Sequence, residues 1–200
     1  MKVLHMSILR YQRDTAEPLI LAQEMDIAAF GFFEKKTVRE LLPFFSKTVV
    51  QRIKAGERIT VDQEEMKDYQ VHAHVRSDGL AATMTADHEY PARAAFAVLA
   101  QLMDDFSEQV SGWAGLGAPV EWPPIKEALA KCQDPTNYDK IMKIQRDLDD
   151  TTTVLHQTID NLLERGEKLD TLVERSDDLS KQSKMFYKQA RKTNSCCVIA

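Results

Sequence analysis

The chain has 200 residues, a formal net charge of −5 and 44% hydrophobic residues. That length holds one domain plus an extended element, or two small domains, and the acidic balance argues against general nucleic-acid binding. No apolar run reaches the roughly 18 residues of a membrane-spanning helix. The start, Met1-Lys2-Val3-Leu4-His5, lacks the apolar stretch of a secretory signal, so the chain is expected to stay on the cytosolic side.

Residues 1–110 read as a compact α/β unit. Val3 to Leu9 alternates loosely as a strand, and Leu19 to Ala22 is a second short apolar run after a polar turn at Arg13-Asp14-Thr15. The period then changes. Val38, Leu41, Leu42, Phe45, Val49 and Ile53 recur at helical spacing, so a helix is expected over about 38–55. Thr37 with Glu40 three residues later has the pattern of a capping box, and Gly56 that of a stop. Ile59-Thr60-Val61, Tyr69 to Arg76 and Leu80 to Ala86 follow as strands, with Ser77-Asp78-Gly79 as a hairpin turn. Ala92, Phe96, Leu99, Met103, Phe106 and Val110 then form a second amphipathic helix. The order β-β-α-β-β-β-α predicts an α+β domain: a five-stranded, mainly antiparallel sheet with helices on its faces.

Residues 111–137 are dense in Gly and Pro and read as a linker, with a short helix over Ile125 to Lys131 that could extend the domain to about 131. From Ile141 a seam repeats in steps of three and four: Ile141, Ile144, Leu148, Thr151, Leu155, Thr158, Leu162, Arg165, Leu169, Leu172, Ser176, Leu179, Ser183, Phe186, Ala190 and Thr193. A sustained 3.5-residue period predicts a supercoiled helix over 138–195, roughly 80 Å long. Its Thr and Ser positions bury too little for a homodimer, so the helix suits a mixed bundle and is expected to be largely disordered alone. Arg165 sits mid-seam, where a guanidinium needs several acceptors around it and an isolated polar residue can set register and partner choice.

The tail, residues 196–200, is Cys196-Cys197-Val198-Ile199-Ala200. Cys-aliphatic-aliphatic-X reads as a prenylation signal, with Ala tilting it to farnesyl on Cys197. Since one lipid anchors only marginally, Cys196 is a candidate for a second, palmitoyl or prenyl. Lys181, Lys184, Lys188, Arg191 and Lys192 could add attraction to anionic lipid. Of the three cysteines only Cys132 stands apart, and no disulfide framework or zinc spacing is present. His72 and His74 share a strand face, but without a third ligand they read as exposed strand histidines and not as a metal site. Asp104-Asp105 and Asp149-Asp150 fall on polar helix faces. No phosphate loop, nucleophile elbow or Cys–His pair appears, so neither an enzyme nor a cofactor is expected.

Leu162 to Asp170, LLERGEKLD, resembles the centre of an R-SNARE motif, with Arg165 at the ionic layer. The N-terminal element order, with Asp87-His88-Glu89-Tyr90-Pro91 before the second helix, is similar to a longin (profilin-like) domain. Asn194-Ser195-Cys196-Cys197 resembles the terminus of the prenylated longin R-SNAREs, which have no transmembrane anchor. The resemblance implies membrane fusion in Golgi, ER-derived vesicle, endosomal or vacuolar traffic. It implies a parallel bundle with Qa, Qb and Qc SNARE helices, in which Arg165 meets three glutamines and the layers include Ile141, Ile144, Leu148, Leu155, Leu162, Leu169, Leu172, Leu179 and Phe186. It also implies a prenyltransferase as partner and a closed form in which the longin domain folds back on the SNARE helix and shields the lipid. Leu41, Phe44 and Phe45 are the groove candidates for that contact. The rival reading is a prenylated coiled-coil adaptor that recruits one partner to membranes.

Overall fold

The computed structural model describes residues 1–11, 17–63, 66–134, 154–163 and 166–195. The turn at Arg13-Asp14-Thr15, the seam residues Ile141, Ile144, Leu148, Thr151 and Arg165, and the cysteines Cys196 and Cys197 lie outside the described residues. The strands are β1 (Val3–Arg10), β2 (Leu19–Met25), β3 (Arg58–Asp62), β4 (Tyr69–Val75), β5 (Leu80–Asp87) and β6 (Val154–Thr158). The helices are α1 (Phe32–Arg52), α2 (Ala92–Gln109), α3 (Pro124–Cys132), α4 (Ile159–Leu162), α5 (Leu169–Arg175) and α6 (Lys181–Ser195).

The strands form one sheet in the order β2-β1-β5-β4-β3-β6. Its five N-terminal strands pair antiparallel, and β6 adds parallel to β3. The β4–β5 hairpin turns at Gly79, whose φ of +88° and ideal Cβ position 2.9 Å from the Tyr11 carbonyl oxygen leave no room for a side chain. On one face α2 and α3 pack against Val3, Met6, Ile8, Leu80, Ala82 and Met84. On the other, α1 packs against Leu9, Ile59, Val61, Val71, Ala73 and Val75.

Three sequence expectations need correction. First, α1 begins at Phe32, ahead of the Thr37–Glu40 pair. Its first turn is closed by Glu34, whose Oε2 accepts the Gly31 N–H at 2.9 Å, while Thr37 is buried within the helix. Second, residues 111–123, read as linker, are built into the core as well as connecting, while the short helix expected over Ile125 to Lys131 is α3. Trp122 is buried edge-on against Phe106 at 5.2 Å and donates Nε1–H to Gln109, and the Val120 N–H bonds the Leu21 carbonyl of β2. Arg10 holds the carbonyls of Ala114 and Leu116. The Gly and Pro residues shape these turns, and the buried anchors between them are too few to show a period.

Third, His72 and His74 are buried, not exposed. His72 takes Thr60 Oγ1 on Nδ1 at 2.9 Å and packs edge-on to Phe96. His5 is buried too, at the end of a relay in which Ser7, Thr83 and Ser46 pass hydroxyl hydrogens toward its Nδ1, while Nε2–H donates to Gln23. Burial holds His5 and His72 at about 4, and the unfolded chain therefore binds protons near pH 6.5 that the folded chain refuses. Their contribution is fully present above pH 6.5 and is lost as the pH falls toward 4, at about 1–3 kcal/mol per histidine. Urea unfolding of the full chain should show a lower midpoint at pH 5 than at pH 7; equal midpoints would mean these rings titrate freely in the fold.

Candidate functional site: the α1 groove and the segment that fills it

Leu41, Phe44, Phe45 and Val49 recur along α1 at three- and four-residue steps and share one buried cluster with side chains of β3 and β4. With Ile59, Val61 and Val71 they would leave an apolar groove between α1 and the sheet edge. The described residues of 154–163 and 166–195 fill it. Ile159, Leu169, Val173, Leu179 and Tyr187 belong to the same buried cluster as the α1 groove residues. Phe44 and Phe45 meet edge-on at 5.6 Å. Phe44 also lines a crevice with Leu172, Ser176 and Asp178.

The segment meets the sheet through its backbone first. Val154 to Thr158 pairs residue by residue with Arg58 to Asp62. The β3 edge offers unpaired N–H and C=O groups, which an extended chain with β-branched residues satisfies. Asp62 at the end of β3 then lies 3.6 Å from His156 and 3.9 Å from His88.

Polar contacts fix the helices. Arg52 forks onto Glu167, Nη2 to Oε1 at 2.7 Å and Nε to Oε2 at 3.1 Å, with its side chain only 10% exposed. This two-pronged, partly buried pair is the strongest kind of side-chain ion contact. Lys47 reaches Asp178 at 2.5 Å. Glu40 Oε2 accepts both the Ser180 N–H at 2.8 Å and the Ser183 hydroxyl at 2.7 Å. Within the segment Arg191 bonds Asp170 at 2.6 Å and Lys188 pairs with Glu174.

The heptad segment is therefore not one helix here. Its described residues form a strand and three helices, with Gly166 at φ +93° in the break between α4 and α5. By itself a Thr- and Ser-rich seam has too little to bury, and the groove supplies the missing surface. Of the seam residues, Leu169, Leu179 and Ser183 are buried in the groove, Leu162, Leu172, Ser176 and Ala190 are half-buried, and Thr158 is exposed. Leu155 and Phe186 are each 39% exposed. The heptad pattern passed over Ile159, Val173 and Tyr187, which the groove buries. Two runs with a four-residue step, 169-173 and 179-183-187, were the available signal.

Among the described residues no cluster of His, Cys, Asp and Glu is arranged to hold a metal ion, and no helix is long and apolar enough to cross a membrane. Cys132 is buried, and that burial pushes its thiol up, where it is poorly reactive.

Comparison with known proteins agrees with this architecture. The Synaptobrevin family profile matches residues 140–199, and the Longin profile, described as a regulated-SNARE-like domain, matches residues 27–119. The chain is 45% identical to the VAMP-like protein YKT61 of Arabidopsis thaliana over the full length of both. It is 42% identical to the synaptobrevin homolog ykt6 of Schizosaccharomyces pombe and 39% identical to the synaptobrevin homolog YKT6 of Saccharomyces cerevisiae, again over all of both chains. A longin domain followed by a synaptobrevin-type SNARE region, joined along the whole length of these relatives, places the chain in the non-enzymatic Ykt6-type family of longin synaptobrevins.

Proposed function

We propose that this R-SNARE, which acts in membrane fusion, alternates between two uses of residues 138–195. In one, Arg165 enters the centre of a four-helix bundle with Qa, Qb and Qc helices. In the other, the longin domain holds the later part of the same segment, through Ile159, Leu169, Val173, Leu179 and Tyr187, in the α1 groove and keeps it from partners. The observation that carries the reading is the burial of the seam residues Leu169, Leu179 and Ser183 in that groove. A side chain buried there is unavailable to a bundle layer, so the two states exclude each other. Free energy for fusion comes from folding the bundle, and the guanidinium's five donors suit three neutral glutamine acceptors in a dry layer.

Membrane attachment in this reading is peripheral, through farnesyl on Cys197 and a second lipid on Cys196. The shielded form keeps an apolar seam and a prenyl chain from random association. Cys197→Ser should abolish membrane association in cells, because prenylation is the first of the two signals that stable anchoring requires. Fractionation that leaves the variant on membranes would remove the lipid from the mechanism.

The test of the R-SNARE role is mixing. Residues 137–195 are combined with candidate Qa, Qb and Qc helices, and helicity is followed by circular dichroism through a thermal melt. A large gain in helix only with all three, lost in one high transition, is the expected result. No gain with any set would leave a lipid-anchored coiled-coil adaptor as the better reading.

A further inference from the structure

We propose that Glu40 favours the closed form by capping the last helix of the SNARE segment from outside. The proposal rests on the two-state reading above.

Helix α6 starts at Lys181 with no acidic residue in its first turn, although the N-terminal N–H groups of a helix favour a negative charge. Ser180 stands at its cap, and its Oγ accepts the Ser183 N–H at 3.3 Å. In a capping box the residue at the third helical position sends a carboxylate back to the cap's own N–H. Here that position is Ser183, which has no carboxylate. Glu40 of α1 supplies it: one oxygen takes the Ser180 N–H and the Ser183 hydroxyl together. The capping box is thus split between two elements 140 residues apart.

Burial alone would raise the Glu40 carboxyl, but the hydrogen bonds from Ser180 and Ser183, with the charge of Lys36, hold it below its ordinary range and ionised. The contact also discriminates between states. It exists only when a helix begins at residue 181. In a continuous bundle helix the Ser180 N–H would bond four residues back along its own chain, and Ser183 would face the other helices. A contact made in one state alone shifts the equilibrium by its full strength.

The experiment is amide hydrogen exchange on the unlipidated full-length chain. Glu40→Ala should speed exchange of residues 181–195 by about tenfold, the usual scale for losing a charge-assisted pair, with β1 and β5 unchanged. Glu40→Gln, which keeps an acceptor but not the charge, should fall between. Ser183→Ala should add little in the Glu40→Ala background. Slow wild-type exchange in 181–195 that Glu40→Ala leaves unaltered would overturn the cap and keep the closed form. Wild-type exchange at the rate of an unstructured chain would overturn both.

Discussion

Tyr187→Ala should open the closed form and leave the bundle intact, whereas Phe186→Ala should do the reverse. The two aromatics are neighbours in sequence but point to different tasks. Tyr187 is fully buried with Leu169, Val173 and Leu179 against the longin face, while Phe186 remains 39% exposed. In the proposed bundle the heptad count puts Phe186 in a layer and Tyr187 outside the seam. Truncating a buried aromatic costs about 3–5 kcal/mol, which would multiply the open fraction by two orders of magnitude or more. Phe186→Ala should change closure by less than about 0.5 kcal/mol, yet remove a layer from the assembled bundle. Two measurements separate them: the rate of bundle formation with the Q helices, and the melting temperature of the finished bundle. Tyr187→Ala should raise the first, and Phe186→Ala should lower the second. Equal effects of both variants on both quantities would mean that a single stripe serves the two states.

That division explains what could and could not be read from the chain. A heptad seam reports the partners a helix would meet, so Leu155, Leu169 and Phe186 point to the proposed bundle and say little about the chain by itself. The strand at Val154–Thr158 depends on the open edge of β3, almost a hundred residues earlier, and no local pattern carries that information. The longin strands were legible from local pattern, clean alternation in Tyr69 to Val75 and a short apolar run in Leu19 to Ala22, and the β4–β5 turn because Gly79 is obligatory. The start of α1 was not. Thr37 and Glu40 have capping-box spacing, but Thr37 is core and Glu40 serves another helix. Trp122 was passed over because it stands among prolines, although it packs on Phe106 like any core residue.

Phe44→Glu is expected to release residues 154–195 while the longin domain stays folded. Phe44 is one of the groove residues, buried beside Phe45 and sharing a crevice with Leu172 and Ser176. A carboxylate there loses the apolar contact and is costly to bury. It also lies one helical turn before Lys47, within reach of a competing ion pair. Lys47 now holds Asp178 of the segment, so a new partner on its own helix would draw it away from that contact as well. Together these effects should cost closure about 3 kcal/mol or more. The longin domain should survive because Phe45, Val49 and Leu42 still anchor α1 to the sheet, and all three are fully buried. Phe45→Glu is the contrasting variant: it puts the charge in the core and should unfold the domain. Limited trypsin digestion reads both outcomes. Phe44→Glu should expose Lys168, Arg175 and Lys181 to rapid cleavage and leave a resistant N-terminal fragment. Wild-type cleavage rates in a folded Phe44→Glu protein would mean that Phe44 belongs to the longin core alone and that the segment is held elsewhere, by the Arg52–Glu167 fork and the β3–β6 pairing.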